Sequence, residues 1–315
     1  MDKKEIASQR ETFKDFLYLL GFIENTSIKL SKAIEKDRIT DTLNKEFKKL
    51  KKGYIATYFS LNRDTESLVM EANSLPLTVE KTIEKTIRLR VIGYKIPYLD
   101  IPGFNKLIKE ESTQIFDFLE ALKKLFPSSL VSVLPKLLGR KEFPSIIAPV
   151  KLYDGIIGVL GISSPALLEF FIPSVNNLAA HISMAFERCD LYHNSQILGE
   201  DLKKTNKRLD SLFKYSPGIF YLSDLKGTFL DGNKIAEEVT GYKKPELVGK
   251  SFLKLKLLTG VELVKAAKLL AKNALGRSTG PDEFTLIRKD GHKVIVELST
   301  RPIKIGSKTI VLGTG

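Results

Sequence analysis

Residues 216–249 read SPGIFYLSDLKGTFLDGNKIAEEVTGYKKPELVG, a string in which extended and helical signals alternate over short distances. The β-rich run GIFYLSD predicts a strand, residues 224–227 a turn, and residues 228–230 a second strand. Asn233 then caps a helix, because its side chain accepts from the first free N–H groups, and Gly241 closes it in the left-handed conformation. Pro245 starts another helical turn that ends at Gly249. Downstream, residues 260–275 form a Lys- and Ala-rich helical stretch. EFTLIR, Lys289-Asp290-Gly291, VIVELS and, after Gly306-Ser307, TIVLG then predict three consecutive antiparallel strands.

Upstream of this string lies a long helix. Val175, Leu178, Ile182, Ala185, Cys189 and Tyr192 recur at intervals of three and four, the seam of a coiled coil or of a helix docked on a sheet. A second seam runs through Leu198, Leu202, Thr205, Leu209 and Leu212. Six residues rather than seven separate Tyr192 from Leu198, so the seams are offset by roughly 100° and a phase break is expected near residues 193–196. Further back, YIATYFSL at 54–61 meets an Asn-Arg-Asp-Thr turn and extended character resumes at 67–72, a hairpin. IIAPVKL and IIGVLGI flank Tyr153-Asp154-Gly155, predicting a central hairpin with an Asp-Gly turn. Residues 4–52 read as helix in two segments separated near 25–27, and residues 75–140 mix Pro-marked loops with short helical stretches such as 110–126.

At 315 residues the chain has room for two domains and a connector, and 43% hydrophobic with 28% charged residues is ordinary globular composition. No stretch reaches the roughly 18 uninterrupted apolar residues of a membrane span. The start lacks a secretory signal, and the single cysteine, Cys189, excludes an internal disulfide; a cytoplasmic location is expected. The net charge of +13 raises nucleic acid as a partner, and residues 191–315 carry 22 basic against 13 acidic groups. The excess is scattered as Lys singles and pairs, and no helix-turn-helix or aromatic-interleaved basic strand accompanies it, so nucleic acid is not the expected partner.

Six pieces in order, Ser216-Pro217-Gly218-Ile219, Asp224 with Gly227, Asn233, Thr240-Gly241-Tyr242, Glu246-Leu247-Val248-Gly249 and Arg288-Lys289-Asp290-Gly291, make the C-terminal part resemble a PAS domain. Residues 21–192 resemble a GAF domain through the early hairpin, Ala148-Pro149-Val150, Gly155-Ile156-Ile157-Gly158-Val159, and Leu178-Ala179-Ala180 to Ala185-Phe186-Glu187-Arg188. The resemblance implies an α+β chain of two domains, each a central antiparallel sheet flanked by helices, joined by a long helix. The expected division is an N-terminal helix at 1–20, a GAF-like domain at 21–192, a helical connector at 193–213, and a PAS-like domain at 214–315 that stops short of the family's usual C-terminal continuation.

The PAS resemblance further implies a small pocket, and the positions it points inward are Phe220, Leu222, Ile235, Val239, Phe252 and Val296. An apolar lining of that kind suits a small hydrophobic ligand or none, and packed core is the competing reading. Asp224, Asn233 and Asp290 read as turn and cap formers rather than ligand contacts. His181, His193 and His292 stand apart without partners at metal-ligand spacing, so no metal is expected. Residues 250–280 lack the histidine a haem-binding PAS domain would present. The Asn-Cys-Arg-Phe string of flavin-adduct relatives is absent, and Cys189 lies on the connector helix rather than in a pocket that could attach bilin. Walker-type glycine loops and a histidine-kinase phosphoacceptor box are likewise absent, so no catalytic residue is assigned.

The function expected from these readings is a non-catalytic sensory region of a two-component signalling protein. It would bind a small ligand or partner and act through a parallel homodimer of the helix spanning residues 175–213. The output domain, a histidine kinase, or a response regulator would lie downstream. The alternatives are a ligand-responsive transcription regulator contacting nucleic acid and a purely dimerising module.

Overall fold

A computed structural model describes residues 3–51, 53–118, 123, 128–138, 142–165, 167, 169–252 and 254–315. The chain divides into two compact units, Met1–Gln196 and Ile197–Gly315.

The first unit begins with helices α1 (Lys3–Leu30) and α2 (Lys36–Phe47). Strands β1 (Ile55–Asn62) and β2 (Ser67–Asn73), helix α3 (Leu77–Ile87), strand β3 (Lys95–Pro97), helix α4 (Pro102–Glu110) and strand β4 (Gln114–Asp117) follow. Short helices α5 (Ser128–Val131) and α6 (Leu134–Leu138) lead to the hairpin β5 (Pro144–Leu152) and β6 (Gly155–Ser163), and helix α7 (Ile172–Lys214) begins in this unit. The strands form one sheet in the order β3-β2-β1-β6-β5-β4, antiparallel at every pairing. Helices cover both faces. Ala56, Tyr58, Ala148 and Leu160 pack with Leu19, Leu43 and Ile182 of α1, α2 and α7, while Phe59, Leu68, Ile147 and Val159 pack with Val79 of α3 and Phe104 of α4. Burial on both sides is why β5 and β6 are almost continuously apolar rather than alternating.

Three local expectations are corrected here. The helix does not break at 25–27, because Asn25, Thr26 and Ser27 each donate back to the carbonyl four residues earlier, at 2.8 Å, and stay helical; the break falls at 31–35. Within the stretch 110–126, α4 ends at Glu110 and Gln114–Asp117 is a strand paired with Pro144–Ile147; parts of the remainder lie outside the described residues. The central hairpin turns on Tyr153-Asp154, since Leu152 pairs with Gly155; Tyr153 takes the left-handed conformation at φ 52°. Helix α7 runs uninterrupted through residues 193–196, so the phase break there is a change of face within one helix. The one-residue offset separates two faces of that helix. Val175, Leu178, Ile182, Ala185 and Cys189 are buried in the first unit's own core, whereas Leu198, Leu202, Leu209 and Leu212 are 58–69% exposed. Tyr192 is exposed and does not belong to the buried set. Met184 and Leu191, also exposed, lie multiples of seven before Leu198 and Leu212 and extend the outer stripe backwards.

The second unit contains the end of α7, β7 (Phe220–Ser223), β8 (Phe229–Gly232), α8 (Lys234–Thr240), α9 (Lys244–Leu247), α10 (Val261–Ala274), β9 (Thr279–Ile287), β10 (Lys293–Ile305) and β11 (Lys308–Thr314). Its sheet order is β8-β7-β11-β10-β9, so the first strand of the unit lies beside the last. Ile219 and Gly315 exchange backbone hydrogen bonds of 2.6 and 2.9 Å at that junction. Phe284, Leu286 and Val296 on the sheet pack with Leu258 and Ala266, forming the core on one face.

A candidate ligand cavity in the C-terminal unit

The cavity's shape follows from strand register. Pairing of Tyr221 with Gly313 and of Ser223 with Val311 puts these four on one face of the sheet, where Thr300, across from Gly313, also lies. Gly313 has to be glycine: a Cβ there would come 2.1 Å from carbons of the Tyr221 ring, which lies across it. Loss of water around the Tyr221 phenol pushes its pKa up to about 12, so the group is a neutral hydroxyl.

The opposite wall comes from the helices. Asn233 anchors α8: its Oδ1 accepts from Ala236 N at 3.0 Å and from Phe220 N at 3.1 Å, and its Nδ2 donates to the Gly218 carbonyl at 2.7 Å. Gly241 ends the helix at φ 73°. Asp224 closes the β7–β8 turn by accepting from the N–H groups of Lys226 and Thr228 at 2.8 and 2.7 Å. Burial pushes its carboxyl up, but those hydrogen bonds outweigh burial and hold it below the usual range. Asp290 likewise accepts from His292 N in the β9–β10 turn.

Between sheet and helices lies a cavity of about 100 Å³. Val239, Leu247, Phe252, Leu257, Leu269 and Phe284 supply apolar wall; Tyr221, Ser223, Asn233, Thr240, Asn273, Thr279 and Thr300 supply polar groups. Asp231, Glu237 and Lys244 also line it and are mutually or locally paired: Lys244 Nζ lies 2.5 Å from Asp231 Oδ1, and Glu237 accepts from Lys234 Nζ at 2.9 Å and Lys244 N at 2.7 Å. The backbone N–H of Lys244, followed by the Lys234 ammonium, holds the Glu237 carboxyl below its ordinary range.

Two wall residues break this completeness. Ser223 is 1% and Asn273 2% exposed, yet among the described residues Ser223 Oγ and Asn273 Oδ1 have no hydrogen-bond partner. Asn273 Nδ2 donates to the Leu269 carbonyl at 3.1 Å and to Thr300 Oγ1 at 2.6 Å; the carbonyl can only accept, which settles the amide's orientation. Leaving such an atom buried and unpaired costs roughly 1–3 kcal/mol.

Of the six residues expected in the pocket, Val239 and Phe252 line this cavity. Phe220 and Leu222 do not: β7 alternates, and it is Tyr221 and Ser223 that face inward, one residue out of register with the expectation. Ile235 is not part of the wall, its helix presenting Ala236, Val239 and Thr240 instead. Val296 sits on the core face but is packed against the apolar cluster rather than the cavity. Ser223 and Asn273 escaped the sequence reading. Asn273 carried a signal, standing in helical phase with the buried Ala266 and Leu270 at a position an apolar side chain would ordinarily fill. The first unit has its own smaller cavity of about 30 Å³, walled by apolar side chains such as Met70, Val79, Ile83 and Ile96. Among the described residues no cluster of three or more His, Cys, Asp or Glu is placed to hold a metal, and no helix is long and apolar enough to cross a membrane.

The family match agrees with the C-terminal architecture. Residues 216–315 match the PAS domain family, and no curated protein matches the chain. Among solved structures, the chain is similar to the PAS domain of an HTR-like protein from Haloarcula marismortui, at 22% identity over 38% of this chain and 96% of that one, with a TM-score of 0.33. It is also similar to a domain of the sensory box sensor histidine kinase/response regulator from Geobacter sulfurreducens, at 25% identity over 36% and 94% of the two chains, TM-score 0.31. The DhaR(N)–DhaL complex from E. coli is similar over 92% of this chain and 86% of that one, at 13% identity and a TM-score of 0.36. Strand order, caps and family match converge on one conclusion: residues 216–315 of this chain are a PAS domain.

Proposed function

We propose that the chain is a cytoplasmic, non-catalytic sensory region in which a small ligand enters the PAS cavity and biases a helical relay toward an output domain, a histidine kinase or its response regulator. The observation that carries this reading is the pair of buried, unpartnered oxygens on Ser223 and Asn273 in the wall of a cavity whose charged groups are all paired. Packed core alone leaves those two atoms unexplained, whereas a bound polar group answers them.

The relay is a parallel homodimer through the outer stripe of α7. Leu198, Thr205 and Leu212 occupy one heptad position and Leu202 and Leu209 the other, while Lys203, Lys204 and Lys207 stand off the seam where they would not repel a second copy. Val175, Leu178, Ile182, Ala185 and Cys189 serve the first unit's core instead. A GAF identity for the first unit is supported by its antiparallel sheet between helix layers.

Two measurements on the full chain test the reading. Melting across a panel of small metabolites should show a compound that raises the transition of the C-terminal unit, since a ligand that binds only the native state must stabilise it. Sedimentation should show a dimer at micromolar concentration; a monomer at high micromolar concentration would overturn the relay.

A further inference from the structure

The geometry points to a ligand class for the PAS cavity: an uncharged molecule of about five non-hydrogen atoms with one O–H or N–H donor, such as a short alcohol or primary amide, donating to Asn273 Oδ1. This rests on the reading that the cavity binds a ligand at all. Size comes first. A cavity of about 150 Å³ takes up benzene, so about 100 Å³ admits something slightly smaller.

Polarity follows from what the wall offers. Both amide hydrogens of Asn273 are spent on the Leu269 carbonyl and Thr300 Oγ1, so the residue presents an acceptor and nothing else. A carboxylate or ether oxygen brought to it would set lone pair against lone pair. The Ser223 hydroxyl, able to donate or accept, adds a second polar point without demanding charge. Charge is disfavoured independently: Lys244 is held by Asp231, and Glu237 by Lys234 and the Lys244 N–H, leaving no wall group of either sign among the described residues to serve as counter-ion. A buried ion without a counter-ion is strongly opposed. The remainder of the ligand lies against Val239, Phe252 and Leu269 and is apolar.

The test uses four probes on the full chain, with dissociation constants from ligand-observed NMR: 1-butanol, butanamide, methyl propyl ether and butanoate. The ether matches 1-butanol atom for atom without the donor. The proposal expects 1-butanol and butanamide to bind at least tenfold tighter than the ether or butanoate, and Asn273→Leu to erase the difference between alcohol and ether. Ser223→Ala should weaken the alcohol less than Asn273→Leu does. If the ether equals 1-butanol in the wild-type chain, or butanoate binds tightest, the ligand class is wrong while the cavity reading stands; this comparison needs no variant to fold. If none of the four binds the wild-type chain, the ligand class falls; if no compound of the metabolite panel raises the melting temperature of the C-terminal unit either, the cavity reading falls with it, and water is what meets the two oxygens.

Discussion

Replacing Asn233 by alanine should weaken the PAS domain more than any surface change, and the size of the effect can be built from its contacts. The side chain is 2% exposed and makes three hydrogen bonds to backbone: from Ala236 N as the α8 cap, from Phe220 N at the start of β7, and to the Gly218 carbonyl. Loss of a cap costs about 1 kcal/mol. Each of the other two bonds contributes about 1 kcal/mol net, more where the backbone group left behind stays out of reach of water. The sum is about 3 kcal/mol, and in a domain of this size that corresponds to a fall of roughly 12–24 °C in melting temperature. Asn233→Asp keeps the acceptor and loses only the donor to Gly218, so it should cost about a third to a half as much. The chain contains no tryptophan to report on one unit alone, so the assay is native-state hydrogen exchange with peptides resolved by mass. Peptides from β10 and β11 should lose protection by the stated amount, while those from β1 and β6 keep theirs. A loss below about 1 kcal/mol in β10 and β11, or equal loss in both units, would refute the bridging role assigned to Asn233.

Other perturbations separate further parts of the account. Gly313→Ala forces the Tyr221 ring off β11 and should destabilise the second unit by about 1–3 kcal/mol, read by thermal melting. Leu202→Asn with Leu209→Asn should convert dimer to monomer in sedimentation without lowering the first unit's stability, whereas Ile182→Ala should cost that unit about 2–5 kcal/mol. Glu46, buried between Lys29 and Lys49 at 2.7 Å from each, gives a pH signature. Burial pushes its carboxyl up, but hydrogen bonds from the two ammonium groups outweigh that and hold it below the ordinary 4.5. A folded-state pKa below the unfolded one contributes stability that is present above about pH 4.5 and lost as pH falls through the lower, folded value. Urea unfolding of the wild type and Glu46→Gln should therefore diverge at neutral pH and converge in acid; a constant difference would count against the ion pairs.

Much of the fold could be read in advance where the signal is local. Asn233 and Gly241 mark both ends of α8 because a cap and a left-handed closing residue need only their immediate neighbours. The runs around 284, 296 and 311 became the β9–β10–β11 meander for the same reason. Signals that depend on distant partners were lost. GIFYLS is apolar or aromatic on both faces, so only pairing with β11 decides that Tyr221 and Ser223 face inward while Phe220 and Leu222 do not. Gln114–Asp117 is a strand because β5 offers it an edge, a fact absent from its own composition. The two seams of α7 share one period; which of them is buried depends on where the sheet of the first unit lies. At the site, Asn273 was legible as a polar residue in a buried helical phase, but the meaning of its free oxygen required Leu269 and Thr300 to be in place.

The most direct measurement is native mass spectrometry of the purified full chain, folded and then denatured, with the cavity-filling variant Val239→Phe measured alongside. The account predicts that added 1-butanol gives a folded-state mass increment of one ligand per protomer, absent after denaturation and absent in the variant. Identical increments in wild type and variant would contradict a ligand cavity in the PAS domain, and so would the absence of any increment with all four probes and the metabolite panel.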